Sequence, residues 1–118
     1  MILDTSVLIE LLGNNTSVKE NLSTLGEKAS TTAITKYELL CGPKEERSLA
    51  LLDTMEVYDY SGVAAERSAK IYKELRKKGA LINVLDVLIA SIAIARDELL
   101  VTMDKDFKRI EGLKVLVI

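Results

Sequence analysis

The chain has 118 residues, 48% of them hydrophobic and 29% charged, with 16 Lys and Arg against 18 Asp and Glu. This near balance excludes a cationic field over the whole protein, so any nucleic-acid surface must be local. The chain has no histidine and only one cysteine, Cys41, which excludes the usual His and Cys zinc sites, an intramolecular disulfide and histidine catalysis, and leaves carboxylates as the abundant reactive groups.

The size and apolar content predict a single domain over residues 1–118, because no linker-like stretch or repeat interrupts the chain. Asp4 interrupts the apolar start almost at once, so we expect no secretory leader and a cytoplasmic location. The most apolar stretch, residues 80–95, is interrupted by Asp86 and is shorter than the ~18 residues of a membrane span. It predicts a buried helix and no membrane partner.

In chain order, the predicted strands are residues 1–3, 29–32, 55–60, 99–101 and 114–118. The first and the last two are apolar runs bounded by polar residues, which is typical of strands buried on both faces of a parallel sheet. The second and third are less apolar. Together they predict a sheet of four to five strands.

Helical patterns fill the intervals, at residues 6–12, 17–26, 35–40, 44–52, 63–78, 85–96 and 104–110. Ser17 with Glu20 predicts a capping box for the second helix, and Pro43 suits the first position of the fourth. In the fifth helix a predicted buried stripe recurs at helical spacing, formed by Ala65, Ala69, Tyr72 and Leu75. The sixth helix is apolar nearly all round, as expected of a helix packed on the sheet.

Strands alternating with helices predict a three-layer α/β fold, with a central, mainly parallel sheet and helices on both faces. In such sheets ligands bind outside the carboxyl ends of the strands. Asp4 directly follows the first predicted strand, and Thr102 with Asp104 follows the fourth. Two acids therefore lie where a functional site is expected.

Each acidic candidate also has a structural interpretation. Asp4 can cap the first helix, and Thr35 followed by Glu38 can form a capping box. Asp86 interrupts a run of apolar residues, where an unpaired carboxylate would cost several kcal/mol. It is therefore either a cap near the start of its helix or a group facing a cation or a polar cavity.

Asp104 can cap the last helix, and Asp106 has the position of a solvated first-turn residue favoured by the helix dipole.

Four segments in the same order resemble the PIN-domain family of ribonucleases: ILDTS, TAITKYELLCG, NVLDVLIASIA and LLVTMDKDF. The resemblance spans essentially the whole chain and implies the PIN-like version of the three-layer fold.

Position by position, the resemblance assigns catalytic and metal-binding roles to Asp4, Glu38, Asp86 and Asp104. It assigns supporting roles to the hydroxyls of Thr5, Ser6 and Thr102. Asp106 is an extra acid beside the fourth position, which leaves Asp104 and Asp106 as alternatives there, and we favour Asp104.

Converging carboxylates repel one another and raise the pKa of at least one, unless divalent cations neutralise them. Oxygen ligands favour Mg²⁺, with Mn²⁺ as the second candidate. Whether one or two ions act is left open.

The resemblance further implies an RNA substrate and similarity to VapC toxins, with a small antitoxin and a second copy of the chain as partners. The cationic face of the fifth helix, with Lys70, Lys73, Arg76, Lys77 and Lys78, is more typical of a solvated surface than of an RNA groove. Four other cations lie nearer the acids in sequence: Arg96, Lys105, Lys108 and Arg109.

The alternative from another class is a catalytically inactive PIN-like module that binds RNA or protein. Phosphotransferases of the haloacid-dehalogenase type need a second Asp where Ser6 stands. Receiver domains need paired acids after the first strand, where Asp4 is followed by Thr5 and Ser6. Both of these enzyme and signalling classes are disfavoured by that segment.

Overall fold

The sheet has five strands, all of which the sequence predicts. The computed structural model describes residues 1–118. Its strands are β1 (Ile2–Leu3), β2 (Ser30–Thr32), β3 (Glu56–Tyr58), β4 (Leu100–Thr102) and β5 (Val115–Val117). Their order across the sheet is β3-β2-β1-β4-β5, and every neighbouring pair is parallel. The less apolar segments, β2 and β3, are therefore strands as predicted.

Six α-helices and one 3₁₀ helix connect the strands. The α-helices are α1 (Thr5–Leu12), α2 (Thr16–Leu25), α3 (Ala33–Leu40), α4 (Glu45–Leu52), α5 (Gly62–Lys77) and α6 (Val84–Arg96). The last predicted helix is a 3₁₀ helix at Lys105–Arg109. No helix combines the length and the apolar character that crossing a membrane requires.

Alternate residues of the strands pack into two separate hydrophobic cores, one on each face of the sheet. Ile2 and Leu100 pack with residues of α5, α6 and the 3₁₀ helix, whereas Leu3 and Val101 pack with residues of α1 to α4. Because successive side chains of a strand point to opposite faces, β1 and β4 are buried on both sides. The predicted three-layer α/β fold is confirmed.

The predicted starts of α2 and α4 are wrong. The side chain of Asn15, and not a Ser17–Glu20 capping box, caps α2 by accepting a hydrogen bond from the Val18 N–H at 3.2 Å. Asparagine is as good a cap as serine, and α2 begins two residues earlier than the box requires. Pro43 precedes α4 by two residues instead of occupying its first position.

The buried face of α5 is rotated by one residue from the predicted stripe. Its buried residues are Ala64, Ser68, Ile71 and Leu75, whereas Ala65, Ala69 and Tyr72 are exposed. The rotation follows from Ser68, whose hydroxyl lies 2.7 Å from Ser91 Oγ in α6 and 3.0 Å from the Ala64 carbonyl oxygen. A serine satisfied in this way can be buried, which its polarity alone does not predict.

Candidate active site

The carboxyl ends of β1 and β4 place Asp4 and Thr102 side by side. Asp4 directly follows β1, Thr102 is the last residue of β4, and the two strands pair in parallel. Thr102 Oγ1 donates to Asp4 Oδ2 at 2.6 Å. The carboxylate predicted from the first strand and the hydroxyl predicted from the fourth are thus in direct contact.

Asp4 is buried and fully engaged by donors. Its Oδ1 accepts from Ser6 Oγ at 2.6 Å and from the Val7 N–H at 3.2 Å, so Asp4 is also the N-cap of α1. Burial raises the pKa of Asp4, although the hydrogen bonds from Ser6, Thr102 and Val7 oppose that rise. The capping interpretation and the site interpretation of this residue are therefore compatible.

The hydroxyls of Ser6 and Thr102 that hold Asp4 also hold the segment that follows β4. Ser6 Oγ accepts from the Met103 N–H at 3.1 Å, and Thr102 Oγ1 accepts from the Asp104 N–H at 3.0 Å. Asp104 Oδ1 in turn accepts from the Asp106 N–H at 2.9 Å and caps the 3₁₀ helix. Asp104 is thereby fixed relative to Asp4, although it too has a structural role.

Glu38 reaches the site from α3. Thr5 Oγ1 donates to Glu38 Oε1 at 2.7 Å and lies 3.1 Å from Thr35 Oγ1. The predicted Thr35–Glu38 capping box is wrong, because the cap of α3 is Thr32, whose hydroxyl accepts from the Thr35 N–H at 3.1 Å. Sequence reasoning missed the buried Thr35 hydroxyl as part of the site, and its only signal was a cluster of threonines after a strand.

Asp86 is the one of the four predicted acids whose side chain accepts no hydrogen bond. It lies in the first turn of α6, whose cap is Asn83, so the capping interpretation of Asp86 is wrong. Burial, as the larger cause, and the negative charges of four neighbouring carboxylates together raise the pKa of Asp86 to about 7; these neighbours are Asp104, Asp4, Glu38 and Asp106. Carboxylates from three other segments of the chain therefore act electrostatically on Asp86.

The four predicted acids have no cationic side chain as a partner. None of them forms an ion pair, whereas Asp106 pairs with Arg109, whose guanidinium lies 3.4 Å from Asp106 Oδ1. No group of three or more acidic side chains is preformed as the ligands of one ion. The donor atoms that these acids offer are all oxygens, the type that hard cations such as Mg²⁺ accept.

The cations near the acids in sequence differ in their placement. Arg96 lies at the far end of α6, about 15 Å along the helix axis from Asp86, and its guanidinium stacks on Tyr58 at 3.9 Å. Arg96 is therefore near the acids in sequence but lies away from Asp86 in the fold. Arg109 remains beside the acids through Asp106, and its Nη1 lies 3.5 Å from the Leu81 carbonyl oxygen.

The acids lie outside the two pockets of the molecule, except Glu38. Glu38 borders a mainly apolar pocket of about 190 Å³, lined by Ile9, Leu12, Glu38, Leu39, Gly42, Pro43, Lys44 and Ser48. The second pocket lies at the start of α4.

Comparison with known proteins gives concordant matches over nearly the full length. The family model described as PIN domain matches residues 1–113. The chain is 33% identical to Ribonuclease VapC3 of Methanocaldococcus jannaschii over 92 residues, which are 77% of this chain and 95% of that protein. It is 30% identical to the tRNA(fMet)-specific endonuclease VapC of Shigella flexneri over 122 residues, covering 95% and 92%. The VapBC2 crystal structure from Rickettsia felis, bound to a promoter DNA fragment, superposes with a TM-score of 0.84, 28% identity and coverage of 99% and 97%.

Proposed function

The chain belongs to the PIN domain family, and from this premise we propose that it is a Mg²⁺-dependent endoribonuclease that hydrolyses RNA phosphodiester bonds. The observation that carries the proposal is Asp86, a half-buried carboxylate that accepts no hydrogen bond and whose pKa is raised by burial and by the charges of four other carboxylates. Such an arrangement is costly for folding and is typical of a functional site. The relatives named as ribonucleases support RNA as the substrate.

Asp4, Glu38, Asp86 and Asp104 are the residues that would hold the cation. All offer oxygen ligands, which hard cations prefer, so Mg²⁺ is the first candidate and Mn²⁺ the second. When bound, such an ion lowers the pKa of a coordinated water and stabilises charge on the leaving oxygen of a phosphodiester. Asp106 is the weaker candidate for the fourth position, because Arg109 already pairs with it.

The chain's own hydroxyls orient these acids. Ser6 and Thr102 fix the two oxygens of Asp4, and Thr5 fixes one oxygen of Glu38. Outer groups of this kind hold ligating carboxylates in the orientation that binding requires. The N-termini of α1 and α6 add partial positive charge beside Asp4 and Asp86.

RNA approaching an acidic edge needs cationic contacts as well as the metal. Arg109 is the cation that we propose for this contact, because its half-exposed guanidinium is held beside Asp106 and the Leu81 carbonyl. An oriented guanidinium binds phosphate oxygens through paired N–H groups, at a smaller entropic cost than a free lysine.

The biological role we propose is that of a cytoplasmic toxin in a toxin–antitoxin pair. Structures of VapBC complexes from several bacteria resemble this chain over nearly its whole length, which supports a small antitoxin protein as a partner. A second copy of the chain is the other proposed partner. Four large apolar side chains are more than half exposed and could be covered by partner chains: Ile9, Tyr37, Val63 and Val84.

The function is tested by incubating the purified chain with RNA in Mg²⁺, in Mn²⁺ and in excess chelator. We expect internal cleavage with either metal and none with chelator. RNA binding without cleavage in any metal would support the alternative, an inactive PIN-like binding module. A short neighbouring reading frame encoding a DNA-binding protein, and its co-purification with this chain, tests the toxin–antitoxin role.

A further inference from the structure

We propose that Thr35 is a positioning residue for Glu38 that acts through Thr5, as part of a directional chain of threonine hydroxyls. This inference rests on the proposed metal site, because it assigns these threonine hydroxyls a role in cation binding. The hydroxyls start at Thr32, at the end of β2, and finish at the Glu38 carboxylate. They connect the N-termini of α3 and α1.

The contacts form a continuous series. Thr32 Oγ1 lies 3.4 Å from Thr35 Oγ1, which lies 3.1 Å from Thr5 Oγ1, and Thr5 Oγ1 lies 2.7 Å from Glu38 Oε1. Thr32 and Thr35 are fully buried. Their hydroxyls are therefore shielded from competing water.

The direction of the hydrogen bonds follows from proton counting. A threonine hydroxyl has one proton, and the shortest contact commits that of Thr5 to the Glu38 carboxylate, which can only accept when ionised. The contact between Thr5 and Thr35 then requires Thr35 to donate to Thr5. By the same reasoning Thr32 donates to Thr35, although this longest contact is the weakest.

The protons of all three threonine hydroxyls thus point toward Glu38. Hydrogen bonds aligned in one direction polarise one another, so the bond that Thr35 donates strengthens the bond from Thr5 to Glu38. That bond occupies Oε1 and leaves Oε2 for a cation. Removing the Thr35 hydroxyl would end this polarisation and weaken the hydrogen bond by which Thr5 holds Glu38.

The test compares three variants by direct Mn²⁺ titration of the metal-free protein, followed by calorimetry or by the Mn²⁺ magnetic resonance signal. Thr35→Val removes the hydroxyl at nearly constant volume, and Thr35→Ser retains it. Thr31→Val is the matched control, because Thr31 is also a fully buried threonine but donates to the Leu3 carbonyl oxygen at 2.7 Å. Unfolding free energies are measured for all three.

We expect Thr35→Val to raise the Kd for Mn²⁺ on the order of tenfold, as is usual when an outer group behind a ligand is removed. Thr35→Ser should restore wild-type binding. Thr31→Val should be destabilised with an unchanged Kd. A merely structural role of Thr35 predicts instead that both valine variants lose stability and bind Mn²⁺ equally well, and that result would overturn the proposal.

A second arm tests whether Thr35 acts through Thr5. Thr5→Val alone should weaken Mn²⁺ binding, and the double variant Thr5→Val with Thr35→Val should be no worse than Thr5→Val. Because Thr5 is only half-buried, Thr5→Val keeps the test decisive if Thr35→Val does not fold. An unchanged Kd of Thr5→Val for Mn²⁺ would refute the proposed series of threonine hydroxyls. A wild type that neither binds Mn²⁺ nor cleaves RNA would instead refute the proposed function.

Discussion

Thr102 Oγ1 donates to Asp4 Oδ2 at 2.6 Å, across a separation of 98 residues in sequence. The contact exists because β1 and β4 are neighbouring parallel strands whose carboxyl ends meet at one edge of the sheet. Thr102 Oγ1 also accepts from the Asp104 N–H at 3.0 Å. One buried hydroxyl therefore holds two of the proposed metal ligands in a fixed relation.

Replacement of Thr102 by valine tests this relation. Thr102→Val leaves Asp4 Oδ2 without its donor in a buried position, so the free energy of unfolding should fall by about 1–3 kcal/mol. Urea denaturation measures the change. Thr102→Ser, which retains the hydroxyl, should recover most of the loss, and equal stability of the valine variant and wild type would show that the contact contributes nothing.

A divalent cation should stabilise the folded chain. An ion that binds only the native carboxylates adds about 1.4 kcal/mol at ten times its Kd, because it shifts the folding equilibrium by mass action. Thermal melts in Mg²⁺ or Mn²⁺ against chelator should therefore differ by roughly 5 °C in Tm. Asp86→Asn should reduce this difference, and the absence of any shift at millimolar metal would argue against a convergent cation site.

Asp86 should make the metal-free protein less stable as the pH rises. Its pKa is about 7 when folded, against an ordinary value of 3.8, so the folded state keeps a proton that the unfolded state has lost between these two values. The stability contributed by this proton is complete below about pH 4 and is lost as the pH rises to about 7.

The measurement is the free energy of unfolding of wild type and Asp86→Asn in chelator from pH 5 to 8. The variant should be as stable as wild type or more stable, with an advantage that grows up to about pH 7 and then levels off. Asp4, whose pKa is also raised, contributes a similar slope to both proteins. A variant that is less stable than wild type at every pH would mean that Asp86 has a structural role.

Variants of Asp104 and Asp106 test which of these two acids holds the fourth metal-binding position. We expect Asp104→Asn to lose most Mg²⁺-dependent RNA cleavage, and Asp106→Asn to keep most of it, because Arg109 already pairs with Asp106. Initial cleavage rates at saturating metal provide the comparison. The reverse result would move the fourth position to Asp106.

Most of the fold was predictable because the sequence signals it locally. β1, β4 and β5 are apolar runs, and the seven helical patterns all correspond to helices. Apart from the place of Pro43 before α4, the errors are at positions where polar side chains find partners in the folded chain. Ser68 is buried against Ser91, which rotates α5, and Asn15 caps α2 where Ser17 was expected. Such long-range or competing contacts cannot be predicted from the spacing of residues in the sequence.

The site was predictable only in part. Parallel strands explain why Asp4 and Thr102 meet, but local sequence could not separate a cap from a ligand. The structure separates them differently for each acid: Asp4 and Asp104 cap helices, whereas Asp86 and Glu38 do not. The Thr35 contact with Thr5 joins α3 to α1 and depends on how the two helices are placed on the sheet.

Asp86→Asn is the cleanest variant for testing the whole account. Asp4 is less suitable, because its two oxygens accept from three donors and an asparagine amide would lose at least one of those bonds. The Asp86 carboxylate accepts no hydrogen bond, so Asn at this position removes a charge and little else.

The most direct measurement is therefore the rate of RNA cleavage by separately purified wild type and Asp86→Asn, in Mg²⁺ and in excess chelator, with both proteins shown to be folded. The account predicts cleavage by wild type in Mg²⁺ only, and a loss of at least a hundredfold, on the order of removing one essential catalytic group, in the variant. Equal cleavage by both proteins, or cleavage by wild type that persists in chelator, would contradict a carboxylate-bound metal as the basis of the activity.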